Sequence, residues 1–412
     1  MIENSSKPVV RCQISNSNKL KSIIFLGFLP PVNTLRKINS IPLEEKSFPA
    51  ELLYCNESKL AQLGCIVDKK ILFPYSYPYT SSTTKILREN FADLYKDTNK
   101  IVYLNNRDLI IDIGSNDGNL LQNFKDNHRV LGVTPEKIGR LAIKKGIPTI
   151  IDYFNKKTSA KIIKKYGKAK IITATNVFAH IDNINQILKS IIKTLTHDGI
   201  FISESHYLLP LIKDLQYDTI YHEHMRYYSL QSLNYLFKKN NLEIIEAKEI
   251  PTHGGSIRVY AARKGYYKIS KNVKIQLNKE KKLLTQKKFE EFKNKVVMSK
   301  VKLYNLINKI KKDGKKIYGI GAPSRASTLI NYIGLDQDLV DCVLEIDGSY
   351  KIGHYIPGTK IPILSEKILT KNKPDYLILF SWHIAEELKI NLKKKGYKGR
   401  FIIPLPNPRI EK

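Results

Sequence analysis

The hydrophobic pattern along the chain changes period several times, and each change marks a different element. Early on, Ser22-Ile-Ile-Phe-Leu-Gly-Phe-Leu-Pro-Pro is an apolar run ending in a Gly/Pro turn, and Phe73-Pro-Tyr-Ser-Tyr-Pro-Tyr79 is aromatic-rich. Few regular elements fit residues 1–85, which read as a small cap. From residue 86 the period becomes helical, beginning with Ile86–Tyr95. Buried-strand runs and helices then alternate. The strands are Leu109–Ile113, Arg129–Val133, Ala169–Thr175 and Gly199–Ser203, with helices over Leu120–Lys125, Lys137–Lys145 and Asn185–Thr194. That order predicts a mostly parallel, doubly wound α/β sheet. Leu242–Ala247 and Ser256–Ala262 read as closing strands, which ends this unit near residue 270. An amphipathic Lys/Glu-rich stretch over 271–312, too irregular for a coiled coil, reads as a helical connector. A second α/β unit fills 313–412, with strands Lys316–Gly321, Val340–Glu345, Tyr376–Phe380 and Gly399–Ile403 and a helix Ser324–Tyr332.

Composition narrows the class. The 412 residues, 42% of them hydrophobic, suit two or three globular domains. The net charge of +31 invites a nucleic-acid reading. Yet the lysines are spread over helix-like pieces and are not interleaved with aromatics as single-strand binders prefer. They read as a solvated surface, and no nucleic-acid partner is expected. Four cysteines (Cys12, Cys55, Cys65, Cys342) make no disulfide framework in so long a chain. The first residues lack the apolar core of a signal peptide, and no apolar run reaches about 18 residues. A cytoplasmic protein without membrane contact is expected, as a monomer or homodimer.

Chemistry gathers in a few places. Ile111-Asp112-Ile-Gly114-Ser115-Asn116-Asp117-Gly118-Asn119 is a strand, a glycine turn and a helix start. Its spacing matches neither the dinucleotide nor the P-loop fingerprint, and with Asp112 and Asp117 beside the turn a cationic guest suits it better than a phosphate. This pattern resembles the first motif of class I S-adenosylmethionine-dependent methyltransferases. Where an acid for the cofactor ribose is usual, the second strand ends in Thr134, with Glu136 within reach as a substitute. Asn176 and His180 follow the next strand and face the same crevice. The densest cluster is Tyr221-His222-Glu223-His224, two imidazoles, a carboxylate and a phenol in four positions. Burying such groups without partners costs roughly 2–7 kcal/mol each, so the cluster is either solvated or a site. No third ligand completes a metal pair, and a serine-hydrolase elbow is missing.

Taken in order, these motifs resemble the bacterial nucleotide-sugar C-methyltransferases of deoxysugar pathways. The match runs through Leu26-Gly-x-x-Pro-x-x-Asn33, Tyr77–Ser82, Asp112–Gly118, Asn176–His180, Asp218–His224, Thr252–Arg258, Gly319-x-Gly-Ala-x-x-Arg325 and Pro357–Pro362. The resemblance implies a Rossmann-like methyltransferase domain, a small amino-terminal zinc-type domain, and a second Rossmann-like domain at the carboxyl end. The family's zinc is held by two C-x-x-C pairs. Here Cys12 and Cys55 remain, while Ser15 and Ser58 stand at the partner positions, so zinc is not expected.

The resemblance also implies a mechanism. S-adenosylmethionine is the donor, held by Asp112, Gly114, Ser115, Asn116, Gly118, Asn119, Thr134 and Asn176. A nucleotide-diphosphate keto sugar is the acceptor, contacted by His253, Gly254, Ser324, Arg325 and Lys351. His224 removes a proton next to the ketone, Tyr221 and Tyr79 hydrogen-bond the enolate oxygen, Glu223 orients a partner, and His180 assists. His222 is a bystander, and no metal takes part. Competing readings are O- or N-methylation of a small molecule, RNA methylation suggested by charge alone, and non-catalytic binding of a sugar nucleotide.

Overall fold

The computed structural model describes residues 5–41, 43–72 and 85–412. Three β-sheets dominate it. The central sheet has seven strands in the spatial order Leu242–Ile250, Ser256–Arg263, Leu195–His206, Ala169–Thr175, Leu109–Ile113, Arg129–Thr134, Thr149–Ile151. The last five are parallel, and the Leu242–Ile250/Ser256–Arg263 hairpin adds on antiparallel. Counted along the chain, the order runs third, second, first, fourth, fifth, seventh, sixth, that of the class I methyltransferase fold. Every residue of Leu109–Ile113 is buried, as expected for a strand covered by helices on both faces. The order reverses between Leu109–Ile113 and Ala169–Thr175, the switch point where such sheets bind ligands.

The connections differ in places from the expected helices. Leu120–Lys125 shortens to a 3₁₀ turn, Leu121–Asn123. Its Asn123 side chain donates back to the carbonyls of Asn119 and Leu120, competing with helix propagation. A helix Lys156–Tyr166 that the pattern hid is opened by the Asn155 side chain, which accepts from Lys157 and Thr158. The connector is two helices, Lys271–Leu283 and Gln286–Lys312, divided where Thr285 caps the second. Far from irregular, the second buries Phe289, Phe292, Val296, Ser299, Leu303, Ile307 and Ile310 along one stripe. The first sends Glu280 to accept from the free N–H groups of Leu230 and Gln231 at the start of Leu230–Lys238.

The amino-terminal segment is more regular than its sequence suggests. Leu20–Leu29, Phe48–Cys55 and Leu60–Leu63 form an antiparallel sheet. Its fourth strand is Arg226–Tyr227, which arrives from the middle of the chain and pairs with Gln62 and Ala61. Another strand of this segment, Arg36–Lys37, pairs with His354–Tyr355. The segment is therefore strand-paired with residues from both later parts of the chain. The last sheet orders Ile363–Ser365, Cys342–Glu345, Ile317–Ile320, Tyr376–Leu379, Arg400–Ile403 and Arg409–Glu411, parallel but for its final strand. Among the described residues no helix is long and apolar enough to cross a membrane.

The four expected zinc positions do converge. Cys12 Sγ lies 3.0 Å from Ser58 Oγ, and Ser15 Oγ lies 3.5 Å from Cys55 Sγ. Cys65 packs elsewhere, with Phe48, Val67 and Leu72. Two thiols and two neutral hydroxyls are a poor donor set for structural zinc, which wants thiolates or imidazoles. The residues do not fit the metal, and thiol–hydroxyl contacts stand where it would. The double variant S15C/S58C should acquire one zinc per chain by elemental analysis and melt at a higher temperature than the wild type. A double variant with no zinc and an unchanged melt would contradict this reading of the site.

Candidate active site

The donor-side residues sit at the switch point. Gly114 and Gly118 both adopt positive φ, +77° and +80°. A Cβ on Gly114 would lie 2.9 Å from Val177, and one on Gly118 2.7 Å from Ile147. No other residue fits either position without displacing its neighbours. Asn116 and Asn176 also take positive φ, consistent with a backbone bent to open a crevice. Asp112 is buried; its Oδ1 accepts from Thr173 Oγ1 at 2.6 Å, and desolvation pushes its pKa up to about 7. A cationic ligand would relieve that desolvation, so the site fits a sulfonium-bearing amino-acid donor. Ser115 Oγ is buried and has no hydrogen-bond partner among the described residues. The Thr134 hydroxyl donates to the Glu136 carboxylate, which places an acid at the end of the second strand despite the threonine there. Asn119 is mostly buried beside the turn. Asp117 is fully engaged with the loop's own packing through Lys145, 2.9 Å away.

Opposite lies the imidazole cluster. Residues 221–224 form a turn, closed by the His224 N–H on the Tyr221 carbonyl at 3.0 Å. This turn stacks the Tyr221 and His224 rings with centroids 4.3 Å apart. The rings of His180, Tyr227 and His206 lie 5.1, 5.9 and 6.1 Å from that of His224. His224 Nδ1 is 3.1 Å from the Thr219 carbonyl oxygen. A carbonyl only accepts, so the hydrogen bond assigns the proton to Nδ1 and leaves Nε2 with its lone pair. Nε2 has no hydrogen-bond partner among the described residues. Burial first, then the neighbouring His180 and His206, hold the His224 pKa well below its usual value. Tyr221 is held well above its own by burial, so it remains a donor.

Neighbouring groups hold this arrangement. His180 Nδ1 donates to the Glu223 carbonyl. Glu223 Oε1 accepts from Asn33 Nδ2 at 2.6 Å, and the same amide lies 3.4 Å from Ser324 Oγ. Asn33 thereby links the amino-terminal sheet, the catalytic turn and the last sheet's first helix, Ser324–Ile333. Arg226 is 1% exposed, and no carboxylate among the described residues pairs with it. Its guanidinium donates instead to the carbonyls of Ile181 and Asp182 at 2.6 and 2.7 Å, fixing the loop that carries His180. His222 packs edge-on against Phe48 and lies 3.3 Å from the Pro49 carbonyl, a structural contact with the amino-terminal sheet.

The expected acceptor residues fare differently. Arg325 was expected to face a diphosphate. Instead it is buried with both fork arms on Asp218, at 2.9 and 3.0 Å. Its third nitrogen reaches His383 Nδ1 at 2.8 Å, and Trp382 donates to the same Asp218 at 2.8 Å. Its guanidinium is a clamp between sheets rather than an open anion site. Lys351 Nζ is likewise engaged, on the Ala322 carbonyl at 2.6 Å. His253 and Gly254 line the turn beside Gln216, His253 with φ of +58°. Tyr79 lies outside the described residues. Sequence reasoning missed His206, Gln216, Asp218, Trp382 and His383 as members of this cluster. His206 ends the strand Leu195–His206, and its position at a carboxyl strand end was the available signal.

Residues 86–247 match the family "Methyltransferase domain", residues 251–406 the "C-methyltransferase C-terminal domain", and residues 12–73 the "Putative zinc binding domain". The chain is an S-adenosylmethionine-dependent methyltransferase. It is 29% identical to C-methyltransferase NovU of Streptomyces niveus over 98% of this chain and 97% of that one. Solved methyltransferases from Anabaena variabilis and Clostridium acetobutylicum align with 16% and 17% identity and TM-scores of 0.35 and 0.34. They cover 44% and 45% of this chain, and 86% and 94% of their own.

Six imidazoles, those of His180, His206, His222, His224, His253 and His383, are depressed by burial, His206 and His383 to about 3. Below the ordinary histidine value of about 6.5, the unfolded chain takes up protons that the folded rings refuse. Stability therefore rises with pH in that window and falls on acidification, each ring contributing up to about 1.4 kcal/mol per pH unit. Asp112, raised to about 7, and Asp214 and Glu280, whose carboxyls burial also holds above their ordinary range, pull the other way. The urea midpoint should fall steeply from pH 6.5 to 5. A midpoint that holds or rises over that range would contradict the burial of these rings as neutral species.

Proposed function

We propose that the enzyme methylates a carbon next to the ketone of a nucleotide-activated keto sugar. The observation that carries this reading is the His224 imidazole, neutral, fixed through Nδ1 and offering Nε2 beside the Tyr221 phenol. A heteroatom acceptor needs little help to lose a proton. A carbon acceptor needs a positioned base and an oxyanion partner, and this cluster supplies both kinds of group. The similarity to a C-methyltransferase along the whole chain supports the same reading.

When bound, S-adenosylmethionine supplies an electrophilic methyl group. Asp112, the Gly114–Gly118 turn, Asn119, Glu136 with Thr134, and Asn176 would hold it. His224 Nε2 accepts the proton from the carbon next to the ketone. Tyr221, protonated at any working pH, donates to the oxygen that gains charge. His180 and Glu223 hold the turn against Arg226's loop and Asn33. Excluding water from the carbanion-like intermediate and keeping the reacting groups in line would complete the task. The sugar nucleotide would lie between the central and last sheets, where Ser324, Lys351, His253 and Gly254 meet the catalytic turn. With Arg325 clamped on Asp218, its diphosphate would rely on backbone amides at the start of Ser324–Ile333.

Two measurements test this. Nucleotide sugars incubated with the protein and isotope-labelled donor should show one added methyl on carbon by mass spectrometry and NMR, and label on oxygen or nitrogen would overturn it. H224N should lose turnover by at least about a thousandfold while binding S-adenosylhomocysteine as the wild type does. Retained turnover in H224N would remove the base assignment.

A further inference from the structure

We infer that His206 is a second catalytic imidazole, the hydrogen-bond donor to the substrate oxygen that becomes negative when His224 takes the proton; this rests on the keto-sugar reading above. His206 ends the central strand Leu195–His206 at the carboxyl edge of the sheet, where ligands bind. Its ring lies 6.1 Å from that of His224 and nearly parallel to it, at 16°. It also meets the Tyr227 ring edge-on at 6.3 Å. Across the strand pair it sits opposite Ser256, immediately after the His253–Gly255 turn.

Both ring nitrogens of His206 are buried, and among the described residues neither meets a partner with full hydrogen-bond geometry, the Gln216 side chain being the polar group beside the ring. A neutral imidazole has one N–H to donate and one lone pair to satisfy. Leaving both unmet in the interior is costly, and native structures rarely tolerate it without a ligand or a functional reason. The nearest amide, that of Gln216, approaches the ring but is turned mainly to other partners. Gln216 already donates to the Gly254 carbonyl at 2.5 Å and accepts from Arg325 at 3.4 Å. Tyr227 spends its hydroxyl proton on the Thr219 carbonyl. The unmet donor therefore lies beside the base, on a ring parallel to that of His224 and 6.1 Å from it.

The chemistry follows from that placement. The C–H bond next to the ketone breaks and its proton passes to His224 Nε2. The electron pair forms a carbon–carbon double bond, and the ketone π pair moves onto oxygen. His206 donates its N–H to that oxygen and keeps the proton. Burial and the neighbouring Arg325 hold its pKa down to about 3, so the ring is a neutral donor rather than a competing acid. A neutral donor stabilises the developing charge without quenching it by full proton transfer.

The test compares full-length wild type, H206F and H206Q on thymidine- and uridine-diphosphate 4-keto-6-deoxyhexoses. Two rates are read: deuterium uptake from solvent next to the ketone, and methyl transfer. H206F keeps an aromatic ring and loses the donor. Both rates should fall about a hundred- to a thousandfold, with S-adenosylhomocysteine affinity unchanged. H206Q, which restores an N–H donor, should recover at least tenfold over H206F. Wild-type rates in H206F would overturn the inference, as would an H206Q no faster than H206F, which is the signature of a packing role. If the wild type transfers methyl without any exchange, the keto-sugar reading falls by itself. In that case lost methyl transfer in H206F still places His206 at the acceptor, and retained transfer removes it.

Discussion

The burial of the His224 imidazole is the constraint on which the rest of the molecule depends. An imidazole in water is partly protonated near neutral pH and so is an inefficient base there. Desolvation removes that loss by disfavouring the charged form, and the neighbouring imidazoles of His180, His206 and His253 press in the same direction. The cost is that every polar atom nearby must find a partner inside the protein. Thr219 answers for Nδ1 of His224, Glu223 for Nδ1 of His180, and Tyr227 for the N–H of Tyr221. What remains unanswered, Nε2 of His224 and the nitrogens of His206, is what a substrate would meet.

No single sheet can bury this cluster, and the three-sheet arrangement follows from that. The amino-terminal sheet completes itself with Arg226–Tyr227, two residues beyond His224, so its folding and the placing of the catalytic turn are one event. Arg226 then reaches from that strand to the carbonyls of the His180 loop. The last sheet closes the other side through the Asp218–Arg325 pair and the Trp382 indole. A buried ion pair adds little net stability over an apolar contact, but breaking one partner is strongly destabilising. It therefore serves here to fix one relative position of the last sheet against the catalytic segment.

Much of this was legible in the sequence, for local reasons. The apolar runs of Leu109–Ile113 and Ala169–Thr175, separated by helical pieces, can only be parallel strands covered on both faces. Gly114 and Gly118 announced a turn that no side chain could enter. The Tyr221–His224 cluster stood out because four polar groups in a row have no place in an ordinary core. What was hidden depends on distant partners. The amino-terminal sheet borrows a strand from residues 226–227, and no local pattern in residues 20–63 reveals that. Arg325 carries the charge and geometry for a diphosphate, and only the fold shows that Asp218 claims it first. His206 reads as one more polar residue at a strand end until its ring is found against His224 with both nitrogens unmet.

The central claim is that His224 is a neutral base with its proton on Nδ1 and its lone pair on Nε2. Nitrogen NMR of ¹⁵N-histidine-labelled protein, with H224N to assign the signal, reads both points directly. At pH 6.5 the account predicts a protonated Nδ1 and an unprotonated Nε2 for His224, unchanged as the pH is lowered to 5.5. An imidazolium signal, or a proton on Nε2 instead, would contradict it.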